Sequence, residues 1–235
     1  MKVENSVVLI TGANRGLGLA FAREALARGA KKVYAGARDP SSVTLPGVHA
    51  VKLDVTDPDD ITRVARELGD VTLLINNAGI ADMGGFLKDG SVEAARRQME
   101  TNYFGPLMLS KAFAGLLADN GGGAIINVLS VASWISSPML SVYGSTKSAA
   151  WGLTNGLRQE LLTQKTQVLG LHVGFIDTDL VRGLDVEKIS PELVVQRTLD
   201  GLEAGAEEVL ADDKTKMVKK GLSAERGIYL QTIGG

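Results

Sequence analysis

The sequence predicts an α/β protein built on a doubly wound parallel sheet of about seven strands, with helices on both faces. Three observations predict it. Short apolar, β-branched runs alternate with stretches of helical periodicity along the whole chain. Those runs are apolar throughout rather than every second residue, as in strands covered on both faces. The first run also leads through a glycine-rich turn straight into a helix, the arrangement that presents unpaired N–H groups to a phosphate. A length of 235 residues, 45% of them hydrophobic and 22% charged, fits one domain over 1–235 with a sizeable core.

Ser6–Thr11 reads as the first strand. Glycines follow at 12, 16 and 18, and a helix runs from Leu17 to Arg28 with Gly29 as its cap. Lys32–Ala37 and Val48–Leu53 are the second and third strands. Asp57 caps a helix that has Pro58 at its first position and runs to about Leu68. Val71–Asn76 is the fourth strand. A long helix covers about 91 to 118, and the strand Ala124–Ser130 follows. A helix carrying Tyr143 and Lys147 extends to about Thr163, and Gln167–Val173 is the sixth strand. Ser190-Pro191 starts a helix to about Leu202, and Glu208–Ala211 is the seventh strand.

Composition excludes several kinds of function. A net charge of −2 gives no electrostatic case for a nucleic-acid or membrane partner. With no cysteine there is no disulfide, thiol nucleophile or thiolate metal site. The two histidines, His49 and His172, make no His-rich metal centre and read as structural, so no metal is expected. Met1-Lys-Val-Glu-Asn5 enters a strand directly and resembles no signal peptide. No apolar run reaches the ~18 residues of a spanning helix, which makes the cytoplasm the expected location.

The chemistry is expected around Tyr143-Gly-Ser-Thr-Lys147 and Ser130. Residues four apart on a helix share a face, so an ammonium at 147 would favour the phenolate of Tyr143 and bring it into use as a general acid or base. Ser130, closing a strand, can hydrogen-bond the carbonyl oxygen that Tyr143 protonates. The turn Thr11, Gly12, Asn14, Arg15, Gly16, Leu17 and Gly18 is expected to hold a dinucleotide pyrophosphate. At the end of the second strand Ala37 carries no repelling charge and Arg38 can hold a 2′-phosphate, with Arg15 as a second cation, so the expected cofactor is NADP(H).

Five motifs in order, Thr11-Gly-x-x-x-Gly-x-Gly18, Asp54-Val55, Asn76-Asn-Ala-Gly79, Ser130 and Tyr143-x-x-x-Lys147, make the chain resemble a short-chain dehydrogenase/reductase over roughly residues 5 to 180. The resemblance implies a Rossmann-type fold, with Asp54 and Val55 at the adenine and Asn77, Ala78 and Gly79 lining the cofactor together with Asn76. It implies that Lys147 binds the nicotinamide ribose beside Tyr143, that Gly174, Ile176 and Thr178 contact the nicotinamide, and that Asn102 is the catalytic asparagine. Pro106 adds a physical reason: it has no N–H for the carbonyl of Asn102, which is thereby freed to hold a relay water. The chain departs from the family at Val173-Gly174, usually Pro-Gly, and at its C-terminal tail.

Ile80, Trp134, Met139, Leu140, Phe175 and Leu180, with Ile135, Pro138 and Val181, are expected to face the substrate. Their apolar character suits a small hydrophobic carbonyl or alcohol compound. The segment 181–190 is short for a lid. Apolar residues on the helices at 91–118 and 142–163, including Met108, Phe113, Trp151 and Leu157, together with the family's habit, suggest a homodimer. The expected activity is NADPH-dependent reduction of a hydrophobic ketone or aldehyde, reversible as alcohol oxidation. An enoyl or imine reductase, or a non-catalytic NADP(H)-sensing protein, stands as the alternative.

Overall fold

The computed structural model describes residues 1–181, 183 and 185–231, with the main chain alone described at Leu180. Among these residues seven strands form one parallel sheet: β1 (Val7–Thr11), β2 (Lys32–Ala37), β3 (His49–Lys52), β4 (Leu73–Asn76), β5 (Ala124–Val128), β6 (Gln167–His172) and β7 (Glu208–Leu210). Their order is β3-β2-β1-β4-β5-β6-β7. Succession runs one way from β1 to β3 and the other way from β4 to β7. The loops leaving β1 and β4 therefore diverge and open a crevice at the carboxyl ends of the strands.

Strand periodicity divides the core in two. Val8 and Ile10 of β1 point to one face, where they meet Phe21 of helix α1 (Gly16–Ala27) and Val195 and Leu199 of α6 (Pro191–Glu203). Val7 and Leu9 point to the other. There they meet Ile61 and Val64 of α2 (Pro58–Glu67), Phe113 and Leu117 of α4 (Gly105–Asp119), and Leu157 of α5 (Ser141–Glu160). Phe21 and Phe113 are wholly buried, one on each side, and truncating either to alanine would cost about 3–5 kcal/mol. Phe113 and Leu157 are thus spent on the chain's own core. Met108 keeps part of its surface open.

Helix starts follow their caps. The Asp57 side chain accepts from the N–H of Asp59 at 2.9 Å, and Ser190 accepts from Leu193 at 3.3 Å. The helix expected over 91–118 is present as α3 (Ser91–Met99), one π-helical turn (Glu100–Phe104) and α4. The wider turn lies just before Pro106, where the missing N–H leaves the Asn102 carbonyl without its i+4 donor. Gly105 lets α4 approach β3's exit: a Cβ there would stand 3.1 Å from the side chain and carbonyl of Val55.

Two elements differ from expectation. β5 ends at Val128, and Ser130 instead caps a short 3-10 turn, Val131–Ser133. A further helix, α7 (Asp213–Gly221), follows β7, started by Asp212, which accepts from the Thr215 N–H at 2.7 Å. No helix among the described residues is long and apolar enough to cross a membrane.

Candidate active site

A cavity of about 980 Å³ occupies the crevice. The turn after β1 forms its floor. Gly12 and Gly16 have φ of 64° and 54°, values that side chains resist. Gly18 is closer still: a Cβ would stand 2.2 Å from the Gly12 carbonyl oxygen. Gly12, Asn14, Arg15, Gly16, Leu17 and Gly18 all line the cavity. Thr11 does not. Its hydroxyl is turned into the protein, accepting from the N–H groups of Asn77 at 3.0 Å and Ala78 at 2.9 Å, so it braces the turn after β4.

At the end of β2, Arg38 is exposed on the cavity rim with Ser42 beside the same space. Asp39 is engaged elsewhere. It accepts from the N–H of Ser41 at 3.0 Å and its hydroxyl at 2.7 Å, contacts that hold its carboxyl below the usual range. Arg15 lies 3.3 Å from Asp179 across the mouth. Asp54 and Val55 line the wall after β3, and the Asp54 carboxylate accepts from the N–H and hydroxyl of Thr56 at 2.9 and 2.8 Å.

Asn77, Ala78, Gly79 and Ile80 line the next side. Asn76 lies beneath them in the core, its amide donating to Asn127 at 2.8 Å. Asn102, only 1% exposed, sits behind Gly79. Its side-chain oxygen accepts from the Ile80 N–H at 2.9 Å, and its amide donates to the Ile80 carbonyl and the Thr146 hydroxyl, each at 2.9 Å.

Ser130, Tyr143 and Lys147 converge at the deep end. The Ser130 hydroxyl accepts from the Ala132 N–H at 3.1 Å. Lys147 donates to the Val128 carbonyl at 2.8 Å, with its ammonium 5.8 Å from the centre of the Tyr143 ring. The expected lowering of the Tyr143 pKa by Lys147 does not appear in this ligand-free protein. Burial pushes the phenol up to about 12, against a smaller downward pull from Ser130. Burial also brings Lys147 down to about 8. By the pH at which the phenol would titrate, Lys147 has already lost its charge and exerts no field on it.

Gly174, Phe175, Ile176 and Thr178 line the opposite wall, followed by Asp179 and Val181. Leu140 closes the pocket near Tyr143, with Ala81 and Met83 across from it. Four expected wall residues, Trp134, Ile135, Pro138 and Met139, lie elsewhere. Trp134 is 8% exposed and stacks on His172, ring centres 3.9 Å apart, with Trp151 edge-on at 6.2 Å. Ile135 packs with them. Met139 is 55% exposed on the outer surface. Pro138, too, is absent from the wall, and the side chain of Leu180 lies outside the described residues.

Sequence reasoning passed over Ser42, Thr56, Met83, Arg97, Glu100 and Thr101, all on the cavity wall. The Asp39-Pro-Ser-Ser turn signal pointed at Ser42. Arg97 pairs with Asp82 at 2.9 Å, which answers its charge.

Residues 6–188 match the short chain dehydrogenase family profile. Dehydrogenase/reductase SDR family member 7B of Bos taurus is 35% identical over 196 residues, which cover 76% of this chain and 60% of that protein. The match to this relative therefore spans about three fifths of the relative's length. Among solved structures, a short chain dehydrogenase from Burkholderia cenocepacia in complex with NADP is 40% identical, with 96% of each chain covered and a TM-score of 0.92. A short-chain dehydrogenase from Sphingobium yanoikuyae in complex with NADPH is 27% identical, with 94% of this chain and 96% of that one covered and a TM-score of 0.79.

Proposed function

The chain belongs to the short-chain dehydrogenase family, and from that premise we propose that it is an NADPH-dependent carbonyl reductase acting on uncharged, hydrophobic ketones or aldehydes, reversibly an alcohol dehydrogenase. The observation that carries this reading is the meeting of Ser130, Tyr143 and Lys147 at the deep end of the crevice.

The residues present fit an NADP(H) cofactor. The turn after β1 is a cradle that a Cβ at position 18 would fill, and its backbone opens onto a helix N-terminus suited to a pyrophosphate. Arg38, Arg15 and Ser42 stand where a 2′-phosphate would need donors, with no acidic side chain free beside Arg38. Asp54 and Val55 would flank the adenine, and Lys147 and Tyr143 the nicotinamide ribose. When bound, the nicotinamide supplies the hydride, or takes it up in the reverse direction.

The chain's own groups handle the oxygen. A Tyr143 phenol held protonated through the neutral range is a proton donor for a carbonyl oxygen. The Ser130 hydroxyl is a second donor to that oxygen, held in place by the turn it caps. Lys147, buried behind Tyr143, is the next group from which the phenol's proton can be restored. Asn102 fixes the loop at Ile80 that closes over this end. Ile80, Ala81, Met83, Leu140, Phe175 and Val181 give the substrate end its apolar wall, and Arg97 on the same cavity wall is paired with Asp82.

Following NADPH absorbance with a panel of ketones, aldehydes, enones and imines tests the reading. Turnover confined to enones or imines, or none with any member of the panel while NADPH binds, would sink it. For assembly, a two-fold dimer across the outer faces of α4 and α5 is supported by the partly open Met108 and by Phe104, 39% exposed. A monomeric mass by light scattering at micromolar concentration would remove that part.

A further inference from the structure

We propose that His172 is a positioning residue for Ser130, its ring clamped between the Ser130 main chain and Glu208. The inference rests on the role given to Ser130 above.

His172 ends β6 and is wholly buried. Its Nδ1 lies 3.3 Å from the carbonyl oxygen of Ser130. Its Nε2 lies 3.3 Å from Oε1 of Glu208 on β7, too poorly aligned for a hydrogen bond and close enough for an ion pair. A carbonyl oxygen and a carboxylate oxygen are both acceptors. With its proton on Nδ1 the ring donates to the Ser130 carbonyl, while Nε2 faces the carboxylate without a hydrogen bond.

The surroundings hold the ring in this position. Trp134 stacks on it with planes 20° apart. Glu208 is held in turn by Lys219 of α7, at 2.9 Å to one oxygen and 2.8 Å to the other, and Lys219 also sits 4.8 Å over the Trp134 ring. His172 and Lys219 together pull Glu208 down to about 2, which keeps it a carboxylate. Near the ring's strand also lie Arg158, donating to the Val168 carbonyl at 3.3 Å, Asp212, bonded to Gly174 at 2.6 Å, and, beyond the Ser130 turn, Tyr143 and Lys147.

The consequence falls on the serine. The Ser130 carbonyl belongs to the residue that caps the 3-10 turn, so a donor fixed on it helps set the direction in which the Ser130 hydroxyl leaves the backbone. Losing that donor leaves the Ser130 carbonyl to the Ser133 N–H, at 3.0 Å, and loosens the alignment of the oxygen-binding pair of hydroxyls.

The chain has two histidines, and His49 lies exposed on β3. In ¹⁵N-histidine-labelled, ligand-free His49→Gln protein, a single ring remains to be read by NMR. A proton on Nδ1 is expected, and a ring protonated on Nε2 alone would overturn the proposal. His172→Phe keeps a stacking ring and loses both ring nitrogens. We expect its kcat to fall about tenfold or more while NADPH affinity, read by fluorescence titration, stays within about twofold. A kcat within twofold of the unaltered protein would overturn the proposal. Should that variant not fold, Glu208→Gln serves: with the carboxylate's grip on the ring removed, kcat should fall in the same direction while NADPH affinity stays within about twofold. An unaltered kcat is the contrary result. If the role of Ser130 were itself mistaken, Ser130→Ala would keep full activity, an outcome distinct from an active His172→Phe beside an inactive Ser130→Ala.

Discussion

The side-chain amide of Asn102 brackets the main chain of Ile80, accepting from its N–H and donating to its carbonyl, both at 2.9 Å. The same amide also donates to Thr146 at 2.9 Å, in the helix that carries Tyr143 and Lys147. One buried group thus fixes the cavity wall after β4 against the helix that bears the acid.

Asn102→Asp keeps the acceptor and loses both donors. The half-buried Ile80 carbonyl would then face a carboxylate. The free energy of unfolding should fall by about 1–3 kcal/mol and kcat by at least about tenfold. Chemical denaturation and steady-state kinetics check the two effects, and a variant with unaltered kcat would show that the bracket is dispensable for turnover.

Tyr143→Phe removes the transferable proton and little else. Ketone reduction should all but cease while NADPH still binds. Retention of more than about a tenth of kcat, a loss below ~1.4 kcal/mol, would contradict the role assigned to the phenol.

Cofactor preference should rest more on Arg38 than on Arg15, because Arg15 already faces Asp179 at 3.3 Å. Arg38→Leu should raise the KM for NADPH about ten- to hundredfold, the worth of one charge-assisted hydrogen bond at roughly 1.5–3 kcal/mol, and Arg15→Leu should raise it less. Adding Ala37→Asp to Arg38→Leu should turn the preference to NADH, since a carboxylate repels the phosphate and accepts from a free 2′-hydroxyl. The KM for NADPH should also climb with salt more steeply than that for NADH. Equal kcat/KM values for the two cofactors in the unaltered protein would contradict this account.

The ligand-free protein should grow more stable as pH rises from about 8. Burial holds Lys147 at about 8 instead of 10.5, so across that interval the unfolded chain binds a proton that the folded chain has released. Above pH 10 the slope should turn downward, because folded Tyr143 keeps its proton to about 12 instead of 10. Lys147→Met should flatten the rise and be more stable than the parent below pH 8, though inactive. Denaturation midpoints across pH 7 to 11 decide it, and a Lys147→Met protein less stable than its parent at pH 7 would reverse the sign of the argument.

The glycine turn, the apolar strand runs and the Tyr-x-x-x-Lys pair were legible because each is local: a few neighbouring residues dictate the backbone and the face. Trp134 was not, because apolar spacing identifies a buried side chain without saying what buries it, and its partner His172 comes from another strand. Thr11 misled for the same reason. Its hydroxyl serves Asn77 and Ala78, contacts made only once β1 and β4 are adjacent. Helix α7 is rich in lysine and shows little apolar periodicity, and its one readable signal was the Asp212–Thr215 cap. The Tyr143 pKa failed as a local prediction because helix spacing supplied the neighbour and the tertiary fold supplied the burial that outweighed it.

Asp212 binds two things at once: one carboxylate oxygen takes the Gly174 N–H at 2.6 Å, and the other starts α7. Local unwinding of α7 would therefore also release the wall that begins at Gly174, so the two open as one cooperative unit. A ligand that grips that wall draws on the same equilibrium and stabilises a helix it never touches. Amide hydrogen exchange should slow across residues 213–221 when NADPH is added, and Asp212→Ala should uncouple the helix from the cofactor while leaving α1 protected as before.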